Sequence, residues 1–87
     1  MKWEAELKVL LSGRWEPCLA GGFSVMGRFH GGVVQLFPPQ GIYSRWTGRL
    51  RLDEGGRTAV VHGETAGDIL CAFERVINGN SNEKEQS

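Results

Sequence analysis

The chain has 87 residues, 40% of them hydrophobic, and its ten basic residues balance its ten acidic ones. This length allows one small domain, and folding at this size buries roughly 60–65% of the surface of the unfolded chain. The hydrophobic content excludes a disordered protein, and the zero net charge argues against a generic binder of polyanions.

Membrane and redox signals are few. No apolar stretch approaches the roughly 20 residues that a membrane-spanning helix needs, and no signal-peptide core follows Met1. We therefore expect a cytoplasmic protein with no membrane partner. In that compartment the two cysteines, Cys18 and Cys71, are expected to be free thiols.

Turn-forming clusters divide the chain into short runs at nearly even spacing, which predicts an antiparallel β meander. These clusters lie at residues 12–13, 21–22, 31–32, 38–41 and 54–56.

The first run, residues 2–11, alternates between apolar and mostly polar side chains. Trp3, Leu7 and Leu11 share one face, and this period of two predicts a half-buried strand. A helix is the alternative, because Glu, Ala, Leu and Lys are good helix formers and Gly13 fits a helix C-cap.

Five further runs are predicted as strands. Pro17 confines the first of them to a sheet edge, because proline cannot donate a hydrogen bond to a neighbouring strand. The runs are residues 14–20, 23–30, 33–37, 42–52 and 57–62.

After residue 64 the hydrophobic period changes from 2 to 3.6, which predicts an amphipathic helix. Thr65 and Asp68 have the spacing of an N-cap and an acidic N3 residue, close to a capping box. Asn78 and Gly79 are predicted to end the helix. Residues 80–87 contain no apolar side chain and are predicted to form a flexible polar tail.

Together these elements predict an α+β protein with a single domain over residues 1–79. Five to six antiparallel strands form a twisted sheet or a small open barrel, and one C-terminal helix packs against it.

One face of the run 42–52 is the best candidate for a binding surface. Arginines two positions apart on a strand place their guanidinium groups about 6–7 Å apart, a spacing that suits carboxylates and phosphates. The alternative is a solvated face whose arginines pair with Glu4, Glu6 or Asp53. The five side chains of this face are Tyr43, Arg45, Thr47, Arg49 and Arg51.

Two side chains near a predicted turn extend the candidate site. Trp15 follows Arg14 and precedes Pro17, and an exposed tryptophan beside an arginine is typical of interaction hot spots. The alternative places Trp15 over the core or a sheet edge. Cys71 lies opposite the apolar face of the predicted helix, which indicates a second contact surface or a mildly reactive thiol. The alternative is a small residue at a partly covered position.

Catalytic and metal-binding patterns are missing from the sequence. His30 and His62 belong to no nucleophile–base motif, and the spacing of the histidines and cysteines matches no zinc pattern. We therefore expect no enzyme activity, no metal and no cofactor.

One local likeness concerns the predicted strand-to-helix corner at residues 62–70 (HGETAGDIL). It resembles the corner of HicB-type antitoxins, where a Gly-Asp-Thr segment opens a helix. The number of strands before it and the lack of a DNA-binding tail differ from that family, so the resemblance assigns no family.

These observations predict a small protein-interaction domain, an accessory factor or inhibitor of the kind carried by phages and other mobile elements. The expected partner is an acidic protein, and a homodimer is expected in addition. The alternatives are nucleic-acid binding through the arginine strand, and small-ligand binding in a curved sheet closed by the helix.

Overall fold

The computed structural model describes residues 3–19, 21–39 and 44–86, the last eight of them as backbone only. Within these residues, five strands form one open antiparallel sheet in the order β1-β2-β3-β4-β5, and two helices accompany it, which confirms the predicted α+β class. The elements are α1 (Glu4–Leu11), β1 (Trp15–Pro17), β2 (Phe23–Phe29), β3 (Gly32–Phe37), β4 (Trp46–Leu52), β5 (Thr58–Gly63) and α2 (Ala66–Gln86).

The N-terminal segment is helical, so the strand predicted for residues 2–11 is wrong and the helical alternative is right. Trp3 and Leu10 are buried, whereas Val9 is 73% exposed. In an alternating strand Trp3 and Val9 would share one face, so this burial pattern indicates a helix. Leu10 packs closely over Gly27 of β2. The helix is stabilised because its apolar side chains are buried against the part of the sheet around β2.

Both helices cover the same face of the sheet, which we call the inner face. Helix α1 contacts β2, and α2 contacts β4 and β5. Phe73 of α2 and Phe29 of β2 belong to one hydrophobic cluster. Its largest fully buried side chains are Val25, Phe29, Val34, Leu36, Leu50, Ile69, Leu70 and Phe73.

The start of α2 confirms the predicted capping box. The Asp68 N–H donates to Oγ1 of Thr65 at 3.1 Å, and the Thr65 N–H donates to Oδ2 of Asp68 at 3.3 Å. Two backbone donors that the helix leaves unpaired are thereby satisfied.

The helix does not end at Asn78 and Gly79 as predicted, but continues to Gln86. A glycine inside a helix costs only about 1 kcal/mol, and residues 83–86 (EKEQ) are good helix formers. The flexibility expected of residues 80–87 stays a prediction. Among the described residues, no helix has the length and apolar character that crossing a membrane demands.

Candidate functional site

The opposite face of the sheet, which neither helix covers, is called the outer face here. Residues that are direct cross-strand partners share a face of an antiparallel sheet, so the register defines this surface. One row across it consists of Met26, Gln35, Arg49 and Val60. The next row consists of Arg28, Val33, Arg51 and Thr58.

Arg49 and Arg51 project from β4 at the centre of these two rows, and both are exposed. They confirm the alternation predicted for this strand. Neither side chain forms an ion pair with any residue that the structure describes. Arg45 is likewise exposed just before β4 and has no ion-pair partner in the described ranges.

Two of the three acids expected to neutralise these arginines, Asp53 and Glu6, have other partners. Asp53 forms a two-pronged ion pair with Arg28, in which Nη1 of the arginine lies 3.1 Å from Oδ1 and Nη2 contacts Oδ2. The hydrogen bond from Arg28 lowers the pKa of Asp53, and the same bond raises the pKa of Arg28. Glu6 instead contacts His30, with 3.0 Å between Oε2 and Nε2. No acid in the described part of the chain therefore neutralises the charges of Arg49 and Arg51.

Thr47 lies on the outer face as predicted, but it is only 6% exposed and cannot bind a partner directly. Its cross-strand neighbours Phe37 and His62 flank it. Oγ1 of Thr47 lies 3.0 Å from Nδ1 of His62, so this residue orients the histidine and is not itself a contact residue. Tyr43, the fifth member of the predicted site, lies outside the described residues.

Apolar side chains complete the surface. Met26 is 58% exposed and Val60 is 57% exposed, and they stand at the two ends of the row that contains Arg49. Val33 is half-buried beside Arg51. The sequence places Met26 on the outward face of its strand and leaves the face of Val60 open, and only the register of the sheet brings both side chains to the arginines.

Two shallow grooves meet on the outer face at Met26, Gln35 and Arg49. One continues towards Arg51 and the start of β5. The other continues towards β1 and Arg14, whose side chain is 89% exposed and lies 3.9 Å from Glu16. The structure thus brings Arg14 and Arg49 to the same surface.

Trp15 lies on the other face of the sheet and is half-buried, not exposed as predicted, and its role as an interaction hot spot stays a prediction. It is the cross-strand partner of Val25 and lies half-buried against the core. Its Nε1–H donates to the carbonyl oxygen of Leu11 at 2.9 Å, so the ring covers the last turn of α1. This interaction exists only because residues 4–11 are helical.

The cysteines and histidines form no reactive cluster. Cys18 and Cys71 are free thiols, as predicted, and Cys71 packs against the core and not on an outward face of α2. Within residues 3–19, 21–39 and 44–86, no three His, Cys, Asp or Glu side chains converge as a metal site would need.

The chain matches no protein-family model, and no curated protein or solved structure is significantly similar to it. The likeness of residues 62–70 to the HicB corner therefore gains no support. The outer face has to be interpreted from its own chemistry.

Proposed function

We propose that this protein is a non-enzymatic interaction domain whose outer face binds an acidic segment of a protein partner. The observation that carries the proposal is the juxtaposition of Arg49 and Arg51, which form no ion pair with a described residue, with exposed Met26 and half-buried Val33. Guanidinium groups bind carboxylates in a two-pronged geometry, and apolar neighbours exclude water from such contacts.

The composition of the surface favours a protein over a nucleic acid. Met26 and Val60 offer apolar contact area but no stacking platform and no charge. Arg28, which lies in the same row of the outer face as Arg51, is already neutralised by Asp53. A nucleic-acid site is expected to extend its positive charge along a backbone, and the net charge of the chain is zero.

The proposal is tested by affinity capture from a cell extract with the wild type, Arg49→Glu and Arg75→Glu. Arg75→Glu is the matched control, because Arg75 is also exposed but lies on α2, which covers the opposite face of the sheet. A captured protein is then purified and titrated against each variant. We expect Arg49→Glu to weaken that complex about tenfold or more, and the control to change it far less.

A further variant separates an acidic protein from any other polyanion. Met26→Ser keeps every charge but removes an apolar contact, so it should weaken binding of the purified partner severalfold. If binding depends on Arg49 but is indifferent to Met26→Ser, the proposed mixed surface is wrong. If neither variant changes the titration, the outer face is not the binding site.

The proposal does not rest on a ligand pocket under the helix. Ile69, Leu70 and Phe73 of α2 pack on the inner face and are fully buried, and small-ligand binding stays a prediction. An origin as an accessory factor or inhibitor of a mobile element stays a prediction. We also propose a homodimer, as the sequence predicts.

A further inference from the structure

The free edge of strand β5 has no charged side chain. It is the last strand of the sheet in the described part of the chain, and its six residues are Thr58, Ala59, Val60, Val61, His62 and Gly63. Natural proteins usually protect an exposed edge with lysine, proline or a bulge, because it can pair with another strand. None of these devices occurs within β5.

The register shows which backbone groups face this edge. The Leu52 N–H donates to the carbonyl oxygen of Arg57 at 2.7 Å. In an antiparallel pair, hydrogen-bonded and non-bonded residue pairs alternate. Ala59 and Val61 therefore bond to β4, whereas the N–H and C=O groups of Thr58, Val60 and His62 point away from it.

We propose that the occupant of this edge is β5 of a second copy, in an antiparallel, two-fold arrangement centred on Val60. Thr58 then lies opposite the partner subunit's His62, and Val60 lies opposite its own equivalent. On the inner face Ala59 lies opposite the partner subunit's Val61. The pairing engages all three outward-facing backbone positions, and no like charges are opposed.

Charges at the two ends of β5 favour antiparallel over parallel pairing of the two copies. Arg57 precedes β5 and Glu64 follows it. Antiparallel pairing brings the Arg57 end of one strand beside the Glu64 end of the other, whereas parallel pairing would place like charges together. The charges at the ends of this edge are thus complementary between two copies in the antiparallel orientation.

Helix α2 adds apolar surface beside the same edge. A Cβ atom at Gly63 would lie 2.9 Å from Cβ of Asp68, so the first turn of α2 lies against the end of β5, and α2 contacts this strand. Ala72 and Val76 follow Asp68 at intervals of four, on the same side, and both are only partly buried. Two copies of α2 would approach each other there, across the two-fold axis.

The test measures the mass of the full chain by light scattering and sedimentation between micromolar and millimolar concentration. We expect a concentration-dependent rise from 9.6 kDa to twice that mass. A mass that stays at 9.6 kDa throughout this range would overturn the proposal.

Charge variants test the register itself. Val60→Lys and Val60→Glu each place two like charges opposite one another across the axis, so each should raise the dimer Kd more than tenfold. Mixed in equal amounts, they should form a heterodimer, because the charges are then opposite. Met26→Lys is the control, since Met26 has the same exposure but stands three strands away from β5. Dimers of Val60→Lys alone, or a mixture that stays monomeric, would overturn the pairing.

A measurement on the wild type does not depend on how variants fold. Amide hydrogen exchange at Thr58, Val60 and His62 should slow severalfold at high protein concentration and quicken on dilution. If the protein dimerises but exchange at these three positions does not depend on concentration, the interface lies elsewhere and the proposal is overturned. Neither experiment involves the acidic partner, so the proposed binding surface is tested separately.

Discussion

Gly48 of β4 lies directly beneath Phe73 of α2. A Cβ atom at Gly48 would be 2.9 Å from Cε2 of the phenylalanine and even closer to Ile69. Such distances are shorter than van der Waals contact permits. The helix can therefore approach the sheet this closely only because residue 48 has no side chain.

The first prediction follows from this contact. Gly48→Ala should destabilise the protein by about 1–3 kcal/mol, because one methyl group overpacks a filled core. Thermal unfolding measures the change. Gly31→Ala is the control, because its Cβ would lie 3.7 Å from Ile77, an ordinary contact distance. An unchanged melting temperature for Gly48→Ala would mean that α2 lies farther from β4.

The second prediction concerns the largest side chain that α2 contributes to the core. Phe73 is fully buried, so Phe73→Ala should cost about 3–5 kcal/mol, a large part of the stability of so small a domain. Arg75→Ala, on an exposed position of the same helix, should change stability by less than about 0.5 kcal/mol. Denaturant unfolding compares the two variants, and equal effects would contradict the packing of α2 on the sheet.

Helix α2 and the alternation of β4 could be predicted from the sequence because both patterns are local. Thr65 and Asp68 identify the start of the helix by themselves, and Arg49 and Arg51 face outward because their neighbours Gly48 and Leu50 must face the core. In each case the structure depends on residues only a few positions apart.

The N-terminal helix could not be predicted in the same way. Its eight residues satisfy a period of two as well as a period of 3.6, and the choice depends on the uncovered stretch of sheet around Gly27, far away in the chain. The error extended to Trp15, because its hydrogen bond to Leu11 requires the helix. The contribution of Met26 to the site likewise depends on strand register, which the sequence does not specify.

The third prediction concerns acid stability and the Arg28–Asp53 pair. The pKa of Asp53 is lowered in the folded protein by its hydrogen bond with Arg28. A carboxyl whose pKa is lowered by folding stabilises the folded protein at pH values above the pKa of the unfolded state. This stabilisation is lost at acid pH, below about pH 4, as the pH falls through the pKa of the folded state. Arg28→Gln should return the pKa of Asp53 towards its ordinary value, and NMR titration measures it directly. The substitution should lower the free energy of unfolding more at neutral pH than at pH 2. A titration curve of Asp53 that is identical in both proteins would contradict the ion pair.

The fourth prediction tests the capping box. Thr65→Ala removes the acceptor of the Asp68 N–H and should destabilise the protein by about 1 kcal/mol. Thr65→Ser is the matched control, because serine keeps the hydroxyl oxygen that accepts the hydrogen bond from the Asp68 N–H. Thermal unfolding compares the two variants. Equal losses would show that the effect reflects the loss of the threonine methyl group and not of the cap.

The last prediction distinguishes the acidic partner from a nucleic acid. If Arg45, Arg49 and Arg51 contacted phosphates, log Kd would change with log salt with a slope of magnitude about 2 to 3, since each contact releases close to one counterion. We expect instead only feeble binding to duplex DNA, single-stranded DNA and RNA oligonucleotides. The described outer face adds no lysine to these arginines, and Asp53 neutralises Arg28 beside them.

Fluorescence anisotropy over a salt titration measures the binding of these oligonucleotides to the wild type and to Arg49→Glu. Because the Arg49 side chain is exposed and forms no ion pair with a described residue, its replacement should leave the melting temperature nearly unchanged. Tight, salt-sensitive binding to an oligonucleotide that Arg49→Glu abolishes in a folded protein would replace the protein partner with a nucleic acid.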